Sequence, residues 1–270
     1  MSESRVSVVM PTYNAERFLR RPVESVLAQS HRELELLVAD DGSTDGSVAL
    51  VEAYARRDPR VRLLRAERNG GVAAARNRGI AAATGRYIAF LDSDDWWHPS
   101  KLEHQLAAMR KAGAAIAYTV YQRVAEDGRV LGVVRPPAEV GYWDMLRSNH
   151  IGNCTGIYDR RLGDGEFRAI GHEDYAFWLG MLRKAGRAIC APGAEPLAFY
   201  LVRNGSVSAN KLRAARWQWR IYREVERLGL LASARYMLHY VVHALAKRRR
   251  ISTTCPDSTR DAPTSLRLTG

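Results

Sequence analysis

The sequence predicts an α/β fold, in which a mainly parallel sheet carries helices on both faces. Short aliphatic runs alternate with helical segments along the first 111 residues, which is the pattern of strands joined by crossover helices. Each run ends in polar residues, and sheets of this kind bind ligands at those strand ends. With 270 residues and 46% hydrophobic content, the chain can bury a large core in one extended domain or in two joined lobes.

Four predicted strands and four predicted helices make up this alternating part of the chain. The strands are residues 6–10, 34–39, 61–65 and 87–91. The helices begin near residue 15, run from the turn at 40–47 to about residue 57, and cover 72–83 and 99–111. Aliphatic residues dominate the strands, whereas Pro, Gly, Asn, Asp and Ser end the strands and begin the helices.

A cluster of carboxylates, Asp92, Asp94 and Asp95, follows directly after the fourth predicted strand. Side chains two residues apart on an extended segment point the same way, so Asp92 and Asp94 can approach one hard cation. Such a cation would in turn hold a diphosphate. The alternative is that Asp94 or Asp95 caps the helix predicted at 99–111, because acidic residues are common before helices.

Four short motifs follow one another along the first half of the chain. They are Pro11-Thr12-Tyr13-Asn14, Asp40-Asp41-Gly42-Ser43-Thr44-Asp45, Gly70-Gly71-Val72-Ala73-Ala74-Ala75-Arg76-Asn77 and Asp92-Ser93-Asp94-Asp95. Their order and spacing, over residues 5 to about 110, resemble the family 2 glycosyltransferases of the GT-A fold. The resemblance implies a Rossmann-like nucleotide-binding sheet. It also implies transfer of a sugar from a nucleotide sugar, commonly a UDP-sugar, with inversion at the anomeric carbon and with Mn²⁺ or Mg²⁺.

The resemblance assigns the nucleobase to the first two motifs. Pro11 and Tyr13 match positions that flank the base, with the tyrosine ring stacked on uracil; the alternative for Tyr13 is an aromatic staple before a helix. Asp41, with Asp40 beside it, matches a carboxylate that accepts a hydrogen bond from the base N–H, which favours uracil over cytosine. Which of the two faces the base stays open. Asp45 is predicted to cap a helix.

The third and fourth motifs are expected to hold the diphosphate and the metal. Arg76 is the cation predicted to reach phosphate, although helix capping with a surface arginine explains the same segment. No Gly-Lys-Ser or Gly-Lys-Thr follows the glycines, so a Walker-type hydrolase is disfavoured. Asp94 is the main predicted metal ligand, while Asp92 binds the ribose or acts on the metal through water. Ser93 is a further predicted donor contact, and Asp95 replaces Asp94 if the register slips by one residue.

The second half is expected to supply the acceptor side. Residues 116–122 and 129–134 are predicted strands that flank a turn at 126–128, so a hairpin-like insertion is predicted. Residues 154–158 form another predicted strand.

Glu173 and Asp174 resemble the family's Glu-Asp pair at the start of a helix, followed by an aromatic residue that lines the acceptor pocket. An inverting transfer is a single displacement, so one carboxylate must take the proton of the attacking hydroxyl. Asp174 is predicted to be this general base, and Glu173 and Trp178 are predicted to bind the acceptor. Two alternatives stay open: acidic residues in a first turn also stabilise a helix, and Trp178 suits a core position equally well.

Residues 200–208 resemble a loop that closes over the diphosphate in many relatives. Arg203 and Ser206 are the predicted donors of this loop. In some relatives the residue equivalent to Arg203 is more often histidine, so this chain has a different basic residue at that position.

Positive charge is concentrated near the end of the chain. Of the net charge of +12, residues 203–250 supply +10, from twelve Lys or Arg and two Glu. Helical spacing of arginines from 213 to 227, and a second basic and apolar helix at 234–250, predict peripheral attachment to an anionic membrane surface. The alternative is a helical hairpin packed on the domain. The apolar run of the predicted helix at 234–250 is too short to span a bilayer, and no nucleic-acid recognition motif accompanies the positive charge.

The remaining features concern location and organisation. Three cysteines without metal-type spacing, and no signal peptide before the first strand, predict a reducing cytoplasm and the inner face of the cell membrane.

We expect a metal-dependent glycosyltransferase that builds surface polysaccharide on a lipid-linked saccharide acceptor; the alternative is a membrane-associated sugar-nucleotide-binding protein without transfer. The predicted portions are 1–110 for the nucleotide sugar, 111–210 for the acceptor and base, 211–250 for the basic helices and 251–270 for a disordered tail. Oligomeric state has no sequence signal.

Overall fold

A computed structural model describes residues 4–203 and 211–252. Its strands are β1 (Val6–Thr12), β2 (Leu34–Asp40), β3 (Val61–Arg65), β4 (Tyr87–Phe90), β5 (Trp96–Trp97), β6 (Ile116–Tyr118), β7 (Tyr121–Ala125), β8 (Val130–Val134), β9 (Glu139–Gly141), β10 (Ile157–Asp159), β11 (Arg187–Cys190) and β12 (Ala198–Val202). Its α-helices are α1 (Glu16–Leu27), α2 (Ser47–Arg57), α3 (Val72–Ala82), α4 (Lys101–Ala112), α5 (Tyr142–Arg147), α6 (Glu173–Ala185), α7 (Lys211–Arg220) and α8 (Leu230–Ser252).

The main sheet has eight strands in the order β3-β2-β1-β4-β10-β6-β11-β9. The first four are parallel, and all seven residues of β1 and of β2 are buried, as expected for strands covered on both faces. This confirms the predicted α/β sheet. Because parallel strands end at the same edge, the segments after β1, β2 and β4 converge there.

The predicted strand 116–122 is wrong as a single element, because the chain changes sheets within it. β6 belongs to the main sheet, whereas β7 pairs with β12 and β8 in a second sheet of order β5-β12-β7-β8. The Tyr118 carbonyl accepts a hydrogen bond from Ala191 N–H, and the Val120 carbonyl accepts one from Leu197 N–H. Ala191 and Leu197 are the first and last residues of the connection from β11 in the main sheet to β12 in the second sheet. The predicted hairpin is confirmed, since β7 and β8 pair antiparallel around the turn at 126–128.

The predicted strand 154–158 begins later than expected. Asn153–Thr155 form a 3₁₀ turn, and β10 lies antiparallel between β4 and β6. The main sheet therefore continues across residue 110, the boundary predicted between the donor and acceptor portions.

Trp178 lies in an aromatic cluster under the main sheet. It is 0% exposed, packs edge-on against Phe90 with ring centres 6.0 Å apart, and contacts Phe177 and Tyr158. A Cβ at Gly156 would overlap its indole, so the strand can pass there only as glycine. The prediction that Trp178 binds the acceptor is therefore wrong, because residues 175–179 of α6 are all buried and the Trp178 side chain lies in the core.

The C-terminal helices pack on the domain as a hairpin. α7 continues into a π-helical turn, Ile221–Val225, and α8 contains the predicted helix 234–250. The Tyr222 hydroxyl donates to the Leu146 carbonyl at 2.6 Å, which ties the hairpin to α5. Within the described residues, the helices are all too short or too polar to cross a membrane. The predicted disordered tail falls almost entirely on residues 253–270, which lie outside the described residues.

Candidate active site

A cleft of about 1050 Å³ opens at the edge of the sheet where β1, β2 and β4 end. Its walls also include the first turn of α6 and one side chain of α7. Ten of the thirteen predicted site residues line it: Pro11, Tyr13, Asp41, Arg76, Asp92, Ser93, Asp94, Glu173, Asp174 and Arg203. The donor-side and acceptor-side predictions therefore meet in one cavity.

Asp41 and Tyr13 lie at the end of the cleft formed by β1 and β2. Tyr13 is 50% exposed and lines the cleft, so it is accessible to a ligand there. Asp41 Oδ2 accepts hydrogen bonds from the backbone N–H groups of Gly70 and Gly71 at 3.1 and 2.7 Å. Its buried Oδ1 has no hydrogen-bond partner among the described residues, and Arg78 lies 3.8 Å away. Oδ1 of Asp41 thus has an ion pair to Arg78 but no hydrogen bond within the described residues.

Asp40 does not line the cleft. Its Oδ2 accepts from the backbone N–H groups of Gly42 and Ser43, both at 3.2 Å, which holds the turn after β2. The prediction of Asp40 as a donor-binding residue is corrected accordingly, because alternation along the strand points Asp40 and Asp41 to opposite sides. Asp45 accepts from Glu16 N at 3.1 Å and Ser47 N at 3.0 Å, so it caps the starts of α1 and α2 as predicted.

Arg76 is buried and holds two carboxylates together. Its guanidinium donates to Asp92 Oδ1 at 2.7 Å and to Glu173 Oε1 at 2.8 Å, and it lies over the Phe167 ring. Burial alone would lower the pKa of Arg76, but Asp92 and Glu173 raise it above its ordinary value. Arg76 thus joins the end of β4 to the start of α6 while it lines the cleft, and its contact with phosphate stays a prediction.

The acidic loop after β4 contributes three carboxylates to the lining of the cleft, those of Asp92, Asp94 and Asp95. Asp94 Oδ2 pairs with Arg203 at 2.9 Å, and burial together with the nearby Asp92 raises the pKa of Asp94. Asp95 Oδ1 accepts from Leu201 N at 2.9 Å and so ties the loop to β12. Neither Asp94 nor Asp95 caps a helix, because α4 begins only at Lys101 with Ser100 before it.

The donor set suits a cation that is shared with a ligand. Among the described residues there is no group of three or more His, Cys, Asp or Glu side chains that forms a metal site. Mg²⁺ commonly takes only one or two protein carboxylates and completes its shell with substrate phosphates and water. Burial first, and then repulsion from Asp92, raise the pKa of Asp94, and a bound cation would relieve that repulsion. Asp92 and Asp94 therefore fit a metal held jointly with a diphosphate.

The acceptor side begins at the first turn of α6. Burial, and then the charge of Asp174, raises the pKa of Glu173, whose carboxylate is held by Arg76. The Asp174 carboxylate faces the same cleft, and neither a hydrogen bond nor an ion pair joins it to the described residues. Of the two acidic residues, Asp174 is thus the one available to a ligand.

Several residues of the cleft were not among the predicted site residues, and two of them, Trp217 and His172, lie side by side. Trp217, on α7, lines the cleft and meets the His172 ring edge-on, with ring centres 5.5 Å apart. Nothing in the local sequence singles out Trp217, because its position depends on how α7 packs against a loop some forty residues earlier. Ser206, predicted to help close the site, lies outside the described residues.

Comparison with known proteins identifies related sequences. Residues 7–163 match the family model described as glycosyl transferase family 2. The chain is 39% identical over 246 residues to the putative teichuronic acid biosynthesis glycosyltransferase TuaG of Bacillus subtilis (strain 168). The aligned region covers 90% of this chain and 97% of TuaG. It is 34% identical over 248 residues to WfgD of Escherichia coli, with 92% of this chain and 96% of WfgD covered. WfgD is named as a UDP-Glc:alpha-D-GlcNAc-diphosphoundecaprenol beta-1,3-glucosyltransferase.

A solved structure has the same fold. The crystal structure of S. aureus TarS 1–349 in complex with UDP-GlcNAc matches with a TM-score of 0.68 and 22% identity, over 88% of this chain and 71% of that chain. This similarity confirms the predicted GT-A arrangement of sheet and helices.

Proposed function

The chain belongs to glycosyl transferase family 2, and from this premise we propose that it transfers a sugar from a UDP-sugar to a hydroxyl of a lipid-linked saccharide, with inversion. The observation that carries the proposal is that Asp94 and Asp174 line one cleft from different elements. The acceptor class is supported by the name of WfgD, which acts on a diphosphoundecaprenol-linked sugar. The name of TuaG supports a role in surface polysaccharide synthesis.

The proposed reaction needs one proton acceptor close to the attacking hydroxyl. The acceptor oxygen bonds to the anomeric carbon from one face while the bond from that carbon to the diphosphate oxygen breaks on the other. The hydroxyl proton passes to Asp174, whose carboxylate is open to the cleft. Glu173 is less suited to this role, because Arg76 already occupies its carboxylate.

The donor would lie along the ends of β1, β2 and β4. Asp41 Oδ1 would accept from the N3–H of uracil, Tyr13 would stack on the ring, and Pro11 would border it. Asp92 and Asp94 would hold Mn²⁺ or Mg²⁺, and Ser93 lies between them on the same loop. When bound, the cation supplies positive charge to the departing diphosphate.

Arg203 would provide a second positive charge beside the diphosphate. In the structure its guanidinium pairs with Asp94 and lies over the Phe18 ring. Its partner in the proposed closing loop, Ser206, remains a prediction.

Two substitutions separate donor binding from transfer. We expect Asp94→Ala to lose Mn²⁺-dependent affinity for UDP by about tenfold or more, because the variant lacks a charged ligand. We expect Asp174→Asn to bind UDP normally but to transfer little, since an amide takes no proton; removal of a general base costs about 10²–10⁴ in rate. The measurements are calorimetry with UDP and Mn²⁺, and product formation from a panel of UDP-sugars.

Glu52→Gln, an exposed change on α2 outside the cleft, is the matched control. Unchanged UDP affinity in Asp94→Ala would reject the ligand assignment, and near-normal turnover in Asp174→Asn would reject the base. A native protein that binds UDP with Mn²⁺ but neither hydrolyses nor transfers any donor would support the alternative, a sugar-nucleotide-binding protein.

We also propose that the chain attaches to the cytoplasmic face of the membrane through α8. Leu231, Leu238 and Val242 are 88%, 66% and 53% exposed, and they recur at spacings that share one helix face. The opposite face packs on the domain through Tyr236 and Met237. The predicted alternatives are thus compatible, because the hairpin packs on the domain and still presents an apolar outer face.

A further inference from the structure

The turn that precedes β10 lies beside the acidic loop. β10 runs antiparallel to β4, with Ile157 opposite Ala89, so the 3₁₀ turn before β10 is next to the segment that follows β4. This turn carries Asn153, which lines the cleft together with Asp92 and Asp94. Since β4 lies between β1 and β10 in the sheet, Asn153 is on the side of the acidic loop that faces away from β1.

The side-chain amide of Asn153 is buried without a partner. The residue is 7% exposed, and its Oδ1 and Nδ2 both lack a hydrogen-bond partner among the described residues. An asparagine in a turn commonly bonds to the nearby backbone, but this side chain does not cap its turn. A buried polar group in this state is costly, and a ligand in the cleft can satisfy it.

Other side chains hold the turn in place. The Trp97 indole N–H donates to the Cys154 carbonyl at 2.7 Å, and the Gln105 amide donates to the Thr155 carbonyl at 2.9 Å. Because these bonds fix the backbone on the far side of the turn, the fold does not need the Asn153 amide. The amide is therefore held in a fixed position in which a ligand can reach it.

The order of strands at this edge of the sheet matches the order of groups in a nucleotide sugar. β2, β1, β4 and β10 follow one another across the sheet. The proposed donor has its base at the ends of β2 and β1 and its diphosphate at the end of β4. The sugar is attached to the diphosphate, so it comes next, at the start of β10.

Tyr121 supports this location. It lines the cleft, and a Cβ at Gly152, in the same turn region, would lie 3.7 Å from its ring. Burial raises the pKa of Tyr121 to about 12, with further contributions from the charges of Cys154, Asp95 and Asp174. Because Asp95 and Asp174 both act on one phenol, this part of the cleft is close to the acidic loop and to the proposed base.

We propose that the Asn153 amide binds hydroxyl groups of the sugar that is transferred, and so determines which UDP-sugar the protein accepts. An amide offers an acceptor oxygen and two N–H donors, and a hydroxyl can donate and accept, so two neighbouring hydroxyls can satisfy Oδ1 and Nδ2 together. A sugar without the matching hydroxyl would leave the amide buried and unpaired, and is rejected. The inference rests on the proposed function, because it takes Asp92 and Asp94 to hold the diphosphate of the donor.

Calorimetry of the full chain with Mn²⁺ tests the proposal by comparing ligands with and without the sugar. The ligands are UDP, UDP-glucose, UDP-galactose, UDP-GlcNAc and UDP-GalNAc. For at least one donor, we expect Asn153→Ala to weaken binding by about tenfold, the effect of losing two hydrogen bonds. The affinity for UDP should not change, which also shows that the variant is folded.

The matched control is Asn149→Ala, the same change at an exposed asparagine outside the cleft. It should alter neither UDP nor donor affinity. If Asn153→Ala keeps the native ratio of donor affinity to UDP affinity for all four donors, the inference is overturned.

Asn153→Leu separates ligand binding from a structural role. Leucine has a similar size and no polar atom, so the variant loses no hydrogen bond of the unliganded protein. We expect its urea midpoint to equal or exceed the native value, while its donor affinity falls as in Asn153→Ala. A clearly lower midpoint would assign the amide to the fold and overturn the inference.

Donors that lack one hydroxyl identify the contact. The donor with the largest effect is compared with its analogues deoxygenated at C2, C3, C4 or C6. We expect the native protein to lose affinity for one or two analogues, and Asn153→Ala to bind those analogues and the parent donor equally well. The same loss in both proteins for every analogue would show that the hydroxyls and the amide act independently, which rejects the contact.

The two levels of proposal fail separately. If the native protein binds UDP with Mn²⁺ and hydrolyses UDP-sugars, but Asn153→Ala keeps the native ratio of affinities, only the assignment of Asn153 is wrong. If the native protein binds neither UDP nor any of the four donors, the proposed function fails and this inference fails with it.

Discussion

Lys101 is fully buried at the start of α4, behind the acidic loop. Its ammonium group donates to Gln105 Oε1 at 2.6 Å and lies 3.9 Å from the centre of the Trp97 ring. Burial lowers the pKa of Lys101 to about 7. Near neutral pH, protonation of Lys101 is therefore less favourable in the native protein than in the unfolded chain.

This burial predicts that the protein becomes more stable as pH rises from 7 to 9. Between the native pKa of about 7 and the ordinary value of 10.5, the unfolded chain keeps a proton that the native protein releases. Stability rises with pH wherever the unfolded state binds more protons, by at most about 1.4 kcal/mol per pH unit for one group. Below pH 7 both states are protonated, and the gain disappears. Urea unfolding at pH 7, 8 and 9 measures it.

Lys101→Met is the control for this prediction, because methionine fills similar space without a titrating group. We expect the native protein to gain up to roughly 2 kcal/mol relative to the variant between pH 7 and 9. Parallel pH profiles for the two proteins would contradict the assignment of the effect to Lys101.

The chemistry of individual residues was easier to predict than their tertiary partners. Asp94 and Asp174 follow from short motifs whose neighbours are close in sequence, and the structure brings both into one cleft. The hydrogen bond from Arg76 to Glu173 could not be predicted, because the two residues lie 97 positions apart in the sequence. Trp178 was predicted to bind the acceptor but lies in the core, and Trp217 lines the cleft although it was not predicted to. The reason is the same for both: the side that a helix buries depends on packing that local sequence does not encode.

At the scale of elements, the parallel half of the sheet could be predicted and the second sheet could not. β1, β2 and β4 are mainly apolar, with Ser7 in β1 and Glu35 in β2 as the polar residues inside the runs, and this pattern identifies strands buried on both faces. β6 and β7 read as one run because nothing in their side chains indicates that they pair with different sheets. The two-residue strand β5 is too short to carry any periodic signal.

The C-terminal hairpin depends on a buried carboxylate. The Glu226 side chain is 0% exposed, and its Oε2 accepts from the Tyr142 hydroxyl at 2.6 Å and from Arg183 at 2.9 Å. These two bonds join the turn after α7 to α5 and α6. The orientation of α7, and with it the position of Trp217, therefore rests on this contact.

We expect Glu226→Ala to destabilise the protein by about 1–3 kcal/mol, because it leaves a tyrosine hydroxyl and an arginine without their acceptor. Glu226→Gln should cost less, since its carbonyl oxygen still accepts one hydrogen bond. Urea unfolding gives the free energy, and hydrogen exchange of α7 and α8 shows where the protein loosens. Faster exchange spread evenly over the main sheet, with the hairpin unaffected, would argue against this role.

At the scale of the whole molecule, positive charge and exposed apolar surface occur on the same hairpin. Arg213, Arg216 and Arg235 are exposed on α7 and α8, alongside the apolar outer face of α8. Basic and apolar groups on one surface are the combination that binds anionic lipid interfaces. Because Trp217 belongs to the same hairpin, this surface would also bring the cleft close to a lipid-linked acceptor.

The apolar face of α8 should therefore determine binding to anionic vesicles. Three changes on it, Leu231→Glu, Leu238→Glu and Val242→Glu, remove apolar side chains that would each contribute up to roughly 1.5–3 kcal/mol when fully buried, and they add repelling charge. We expect the combined variant to bind more than tenfold more weakly to mixed phosphatidylcholine and phosphatidylglycerol vesicles in a sedimentation assay. The matched control changes Val130 and Val133, 55% and 40% exposed on β8, to glutamate.

Added salt should weaken native binding without abolishing it, because screening acts on the charges and leaves the apolar contribution. Equal sedimentation of the α8 variant and the β8 control would contradict membrane attachment through this face, and native binding abolished by moderate salt would assign it to charge alone.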